Sequence, residues 1–295
     1  MTGAAPEPEA GRDLELTAED GRRLAATLFM PAAAANNIAV QINSATGVPR
    51  RYYRAFASYL ATRGFAVLTY DYRGIGGSLP GPLRRERMRA LQWAEQDQVA
   101  ATDFLRTHLP GRSFTLVGHS FGGQILGLSP HAGAIEAALL IGAPHGYWRH
   151  WSGGHRWRNA LLWYGIIPGL VPLLGYFPGS RLGMSDLPAG FALDWARWCR
   201  SPHYICDGEG RALRPFNHLV RASVRQIRFT DDPIVPEAAA RALLDYYPNA
   251  DRRYDRLEPG HFDLRSVGHF GFFRRSMPRS AWADAAEWLA AHARG

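Results

Sequence analysis

The chain contains no lysine: all 34 of its basic residues are arginine, and against 26 acidic residues they leave a net charge of +8. The arginines are scattered in pairs, such as Arg22-Arg23, Arg84-Arg85 and Arg252-Arg253. A nucleic-acid binder gathers its cations on one face or stripe, so the pattern reads as a solvated basic surface and argues against a nucleic-acid partner. Cysteine is almost absent too. Cys199 and Cys206 cannot build the disulfide framework of a small secreted domain, and a reducing, cytoplasmic location is expected. Residues 1–13 carry Pro6, Glu7, Pro8 and Glu9 but neither the basic nor the apolar region of a signal peptide, so they read as a disordered lead-in. One uncharged stretch, residues 159–180, has the length of a membrane span. Pro168, Pro172 and Pro178 interrupt it, together with several glycines, and make it a poor membrane helix. A greasy lid over a pocket is expected there, and no transmembrane span.

What is present is a long, ordinary globular chain. Its 295 residues, 46% of them hydrophobic, suffice for one large core carrying an inserted subdomain. Residues 14–31 contain two extended stretches around Asp20-Gly21, the mark of a hairpin at a sheet edge. Short apolar runs at 38–42, 65–70, 113–117 and 135–141 read as strands buried on both faces. They alternate with helical patterns at 50–63, 87–109 and 121–128. This rhythm predicts βαβ crossovers and a mostly parallel sheet. It breaks after Pro144. Residues 147–220 are rich in Trp, Pro and Gly, and hold Trp148, Trp151, Trp157, Trp163, Trp195 and Trp198, six of the nine tryptophans. The rhythm returns with strands at 224–229 and 253–257 and helices at 237–247 and 280–294. The expected organisation is therefore a core of residues 14–146 and 221–295, with a mainly helical cap inserted at 147–220.

One turn carries chemistry. Gly118-His119-Ser120-Phe121-Gly122 follows a strand and precedes a helical segment. A Gly-x-Ser-x-Gly bend in that context is sharp, tolerates only small neighbours, and lifts the serine hydroxyl above the sheet. A serine is a weak nucleophile until a base takes its proton. Two late histidines could serve: spacing favours His261, which lies closer behind the last strand, whereas the Gly-flanked aromatic surroundings favour His269. An acid should orient the base, and Asp231-Asp232-Pro233-Ile234-Val235-Pro236 supplies it after the strand at 224–229. Asp232 is the choice, because it stands directly before Pro233-Ile234-Val235-Pro236, and Asp231 the alternative; the other usual location, after 135–141, offers no carboxylate. An oxyanion needs donors. The amide of Phe121 is one, and the loop Asn43-Ser44-Ala45-Thr46-Gly47 should give the second, by position the amide of Ala45, with hydroxyls of Ser44 or Thr46 as further donors. The order Ser, Asp, His is that of one hydrolase fold and not of the chymotrypsin- or subtilisin-like proteases.

Four segments, Asn43-Ser44-Ala45-Thr46-Gly47-Val48-Pro49, Tyr70-Asp71-Tyr72-Arg73-Gly74-Ile75-Gly76-Gly77-Ser78, Gly118-His119-Ser120-Phe121-Gly122-Gly123 and Gly268-His269-Phe270-Gly271-Phe272-Phe273, together resemble a bacterial family of predicted α/β-hydrolases. That family is related to the serine aminopeptidases and the monoacylglycerol lipase-like hydrolases. The inserted segment fits as well, at Leu187-Pro188-Ala189-Gly190 and Trp195-Ala196-Arg197-Trp198-Cys199. The resemblance spans nearly all of the chain after its N-terminal tail and implies His269 as the base. It departs at the oxyanion loop, which begins Asn43-Ser44 where many α/β-hydrolases have His-Gly. Fold kinship does not name a substrate, since the wider family includes esterases, lipases, peptidases and acyltransferases.

The expectation is a serine hydrolase working through an acyl-enzyme on apolar acyl or aryl esters, with no cofactor and no metal. A homodimer is compatible with the sequence. An acyltransferase or peptidase with the same triad is the nearest rival, and a non-catalytic small-molecule binder on the same fold is the rival from another class. A zinc site from Cys199, His203, Cys206 and His218 matches no standard ligand spacing.

Overall fold

A computed structural model of the chain describes residues 11–31 and 35–293. Strands β1 (Arg12–Thr17) and β2 (Arg23–Phe29) form the expected hairpin. Then come β3 (Ile38–Asn43), α1 (Arg54–Thr62), β4 (Ala66–Tyr70), α2 (Val99–His108), β5 (Ser113–His119), α3 (Phe121–Gln124) and β6 (Ala137–Ile141). Between β6 and the next strand of the main sheet lie α4 (Gly153–Leu161), α5 (Ile167–Leu174), the two-residue strands β7 (Tyr176–Phe177) and β8 (Leu187–Pro188), and α6 (Ala189–Arg200). The chain closes with β9 (Ser223–Phe229), α7 (Glu237–Leu244), β10 (Asp251–Leu257) and α8 (Arg279–His292). Of the disordered lead-in expected at 1–13, residues 1–10 lie outside the described residues, whereas Arg12 and Asp13 are the first residues of β1.

The main sheet has eight strands in the order β1-β2-β4-β3-β5-β6-β9-β10. β2 runs antiparallel to both β1 and β4, and every other pairing is parallel. Strands β3, β4, β5 and β6 are buried along their whole length. That is why they read as unbroken apolar runs: helices cover both faces, so no residue is left to face water. On one face, Phe56 and Leu60 of α1 and Trp282 and Leu289 of α8 pack on Val40, Val117 and Leu139. On the other, Ala101 and Leu105 of α2 and Leu243 of α7 share a core with Leu116, Leu140 and the α6 residues Phe191 and Trp198. From β3 the chain turns outward to β4 and then crosses back to β5 on the other side of β3. Ligands of open α/β sheets settle beyond the carboxyl ends of strands where the order reverses like this; here that point is the end of β3 and β5.

Two expected helices are shorter in the structure. Of residues 87–109, only the second half is regular helix, preceded by a π turn at Trp93–Gln98. Residues 86–89 run without regular structure, because α6 holds them. Asp194 accepts two bonds of 2.6 Å from the Arg89 guanidinium and a third of 3.1 Å from the Ala90 amide. A side chain on Gly190 would lie 2.0 Å from the Met88 carbonyl oxygen, so this approach requires glycine. The helix after Ser120 likewise stops at Gln124 and continues as a 3-10 turn at Leu126–Leu128. The uncharged stretch 159–180 is folded as the end of α4, a π turn at Leu162–Ile166, α5 and β7. No helix among the described residues is long and apolar enough to cross a membrane.

Candidate active site

Ser120 stands at the carboxyl end of β5 with φ 51° and ψ −114°. A non-glycine residue in that region costs on the order of 1–3 kcal/mol and survives only when its surroundings enforce it. The enforcement is visible in two glycines. A side chain on Gly122 would meet the Asn43 carbonyl oxygen at 2.2 Å, and one on Gly118 would meet the Gly123 Cα at 2.6 Å. Helix α3 is thereby pressed directly against β3. Asn43 locks the junction: its side chain donates to Gln98 Oε1 and the Gly122 carbonyl and accepts from Gln41 and the Tyr70 hydroxyl, all buried. This network explains the asparagine where the resemblance leads one to expect histidine. Gly122→Ala should lower stability by at least about 1–3 kcal/mol, the usual cost of overpacking a rigid site, read as a drop in the urea midpoint.

The structure brings Asp232 and His269 together. His269 Nδ1 lies 2.8 Å from Asp232 Oδ2, and both side chains are almost fully buried. Asp232 Oδ1 accepts the amides of Ile234 at 2.8 Å and Val235 at 3.2 Å, which fixes the carboxylate and leaves Oδ2 for the imidazole. The pair sits beside Ser120. The Ser120 amide donates to the Ile141 carbonyl at 3.0 Å, and the next residue, Gly142, has its missing Cβ position 3.3 Å from both Asp232 Oδ2 and His269 Nδ1. Asp231 does something else. Its Oδ2 accepts Ser266 Oγ and the amides of Val267 and Gly268, anchoring the loop that carries His269. His261 lies on a 3-10 turn lining a separate surface cleft with Arg253, Phe262 and Asp284. His145 is also buried, but burial and the nearby His150, Arg214 and His203 push it down to about 3, so it stays neutral.

The oxyanion loop departs from the sequence reading. The Ala45 amide donates to the Tyr53 hydroxyl at 2.8 Å, so it is already engaged. Ala45 and Ser44 are buried but do not line the cavity above Ser120; Thr46 does. No pattern in the sequence links Tyr53, eight residues away on the approach to α1, to this loop.

The cavity that Ser120 opens into has a volume of about 400 Å³. Its wall comes mainly from the segment between β6 and β9: Leu162, Trp163, Ile167, Phe177 and Trp195 among others. Of the described residues lining it, Arg158 alone carries a charge. The segment also packs on the nucleophile's neighbour, for Phe191 meets Phe121 edge-on at 5.3 Å and stacks on Trp93 at 4.0 Å. Cys199 lines the cavity fully buried, and burial pushes its thiol up, away from the reactive thiolate. Cys199 and Cys206 are both free, and among the described residues no three His, Cys, Asp or Glu side chains gather as a metal site would need.

The eight-stranded, mostly parallel sheet is flanked by helices, and a serine stands on a strained strand-to-helix bend beside a buried Asp–His pair. The chain has the α/β-hydrolase fold. The family described as serine aminopeptidase, S33, matches residues 47–167. Among solved structures, a soluble variant of the Saccharomyces cerevisiae monoglyceride lipase, in complex with a substrate analogue, is similar over 100% of this chain and 99% of its own, with a TM-score of 0.68 and 15% identity. A Pyrococcus furiosus esterase is similar over 97% of this chain and 92% of its own, with a TM-score of 0.61 and 15% identity. An α/β-hydrolase from a Penicillium species gives a TM-score of 0.61 at 18% identity, over 96% of this chain and 99% of its own. No curated protein matches the chain in sequence. At such identities the likeness of this chain to its neighbours is one of fold.

Proposed function

We propose that this α/β-hydrolase is a serine carboxylesterase for substrates with an apolar acyl or aryl group. The observation that carries the reading is the buried Asp232–His269 pair set beside Ser120 at the floor of an apolar cavity. His269 takes the Ser120 proton as Oγ attacks the ester carbonyl, and Asp232 holds the imidazole in the tautomer that leaves Nε2 free to accept it. The amide of Phe121, first in α3, and Thr46, which lines the cavity, supply the donors for the developing oxyanion. The imidazolium then returns its proton to the leaving alcohol, and water, activated by the same base, releases the acid. Residues 147–220 act as the cap that shapes the acyl pocket.

The wall favours esters over peptides. An aminopeptidase needs an anionic partner for the substrate's free ammonium, and no Asp or Glu is among the described residues lining the cavity; its one charge is the cation of Arg158. Treatment with a fluorophosphonate should add one label, located at Ser120 by peptide mass spectrometry. A series of p-nitrophenyl esters of rising acyl length should be hydrolysed, while aminoacyl p-nitroanilides should not. A folded protein that is neither labelled nor active on any ester would overturn the reading in favour of a binding protein. A product with an added alcohol that outruns hydrolysis would reassign it to acyl transfer.

A further inference from the structure

The residue between Gly118 and Ser120 has no part in the mechanism above, yet it is among the most tightly held side chains in the molecule. His119 is fully buried. Its Nε2 lies 3.0 Å from the backbone carbonyl of His269, and its Nδ1 lies 2.8 Å from the Tyr53 hydroxyl. A carbonyl can only accept, so Nε2 carries the proton and Nδ1 accepts from Tyr53. The Tyr53 oxygen in turn accepts the Ala45 amide at 2.8 Å. The bonds therefore run in one direction, from the Ala45 amide through Tyr53 and His119 to the carbonyl of His269. Each donor has an acceptor, and the ends of the chain are the oxyanion loop and the catalytic base.

We propose that Tyr53 and His119 are positioning residues that hold the His269 loop and the oxyanion loop at a fixed spacing about Ser120. The proposal rests on the hydrolase reading above, and three elements meet in it. His119 is continuous with the nucleophile, Tyr53 precedes α1, and His269 follows the last strand by a long loop. Without the bridge nothing else in the described hydrogen bonding ties the His269 carbonyl to β5. Aromatic contacts tighten the arrangement: the His119 ring meets those of Tyr53 at 5.8 Å, Phe273 at 4.9 Å and His269 at 5.1 Å. Burial, with the neighbouring His269 adding to it, pushes His119 well below the ordinary histidine value. His119 thus stays neutral while His269 becomes an imidazolium, and no second cation opposes the transition state.

The test compares Tyr53→Phe, His119→Leu and His119→Gln with the wild-type enzyme on one p-nitrophenyl ester, with thermal melts of each. The phenylalanine keeps the ring and loses the hydroxyl. The glutamine keeps one acceptor and one donor, and the leucine keeps neither. Misplacing a reacting group by an ångström can cost about 100-fold, so Tyr53→Phe and His119→Leu should lower kcat about 10- to 100-fold with KM changed less than about threefold. His119→Gln should recover a clear part of the loss suffered by His119→Leu. A wild-type kcat in folded Tyr53→Phe, or losses that follow the folded fraction alone with glutamine no better than leucine, would overturn the proposal. The wild-type enzyme labelled at Ser120 in the same experiment separates that failure from a failure of the hydrolase reading.

Discussion

Ser120→Ala should lower ester turnover by about three to six orders of magnitude and leave the melting temperature within a few degrees of wild type. The size follows from what the hydroxyl does. Without it no acyl-enzyme forms, and only the oxyanion donors and the pocket remain to accelerate attack by water, a residue of about 10³–10⁴ over the uncatalysed rate in serine hydrolases of this logic. The small effect on stability follows from the local structure. The Ser120 side chain does not cap α3, and alanine occupies the same strained backbone at a similar cost. The measurement is kcat by a sensitive fluorogenic ester, with circular dichroism to show the fold. Turnover within tenfold of wild type would remove Ser120 from the nucleophile's place. The neighbouring hydroxyls that line or border the site, Thr46 and Tyr204, would then need testing.

Much of the fold was legible because the parallel strands are buried on both faces and so stand out as apolar runs. The run at 113–117 became Ser113–His119, extended through Gly118 and His119 because the elbow begins only at Ser120. The serine's motif could be read because its geometric demand, glycine at two positions, is a demand on residue type. The failures came where long-range contacts decided. Residues 87–92 have a helical pattern, but Arg89 and Ala90 are claimed by Asp194, which lies more than a hundred positions away. Choosing Asp232 over Asp231 depends on which carboxylate meets His269 and which meets the loop before it, and two adjacent aspartates look alike in sequence. Ala45 was the natural oxyanion donor by position. Its engagement by Tyr53 depends on how α1 approaches the loop, which no local pattern records.

The corrected oxyanion loop also changes how the site is understood. In the structure Ser120, Asp232, His269 and the loop after β3 share supports. Asn43 at the end of β3 holds both the Gly122 carbonyl of the elbow and Gln98 at the end of the π turn before α2. Gly142 at the end of β6 gives room to the Asp–His pair, and a side chain there would contact both members. The preorganisation that stabilises charge in a transition state is built from these junctions at strand ends, where a buried backbone leaves little freedom.

Asp232→Asn should reduce kcat by about 10³–10⁴-fold, whereas Asp231→Asn should cost activity less than about tenfold and act mainly on stability. The first figure comes from the tautomer argument. An asparagine amide placed at Oδ2 donates to Nδ1, forces the proton onto Nε2, and leaves the base unable to accept from Ser120. The second comes from what Asp231 holds. Its Oδ2 takes three hydrogen bonds from Ser266, Val267 and Gly268, and a neutral amide weakens all three without touching the imidazole. Asp231 should also leave a signature in acid. Burial works to raise the Asp231 carboxyl, yet the hydrogen bonds from Ser266, Gly268 and Val267 outweigh it and hold it below its ordinary value of 3.8. A depressed carboxylate gives its stability above the unfolded value and loses it as pH falls through the folded one. The His269 loop of the wild-type enzyme should therefore loosen only below about pH 4, and Asp231→Asn should remove that acid-dependent part of the stability. Urea midpoints measured from pH 3 to pH 7, beside kcat at pH 7, check both statements. Equal losses of kcat in the two variants would mean that the carboxylates share the role of orienting His269, against the separate duties their partners give them.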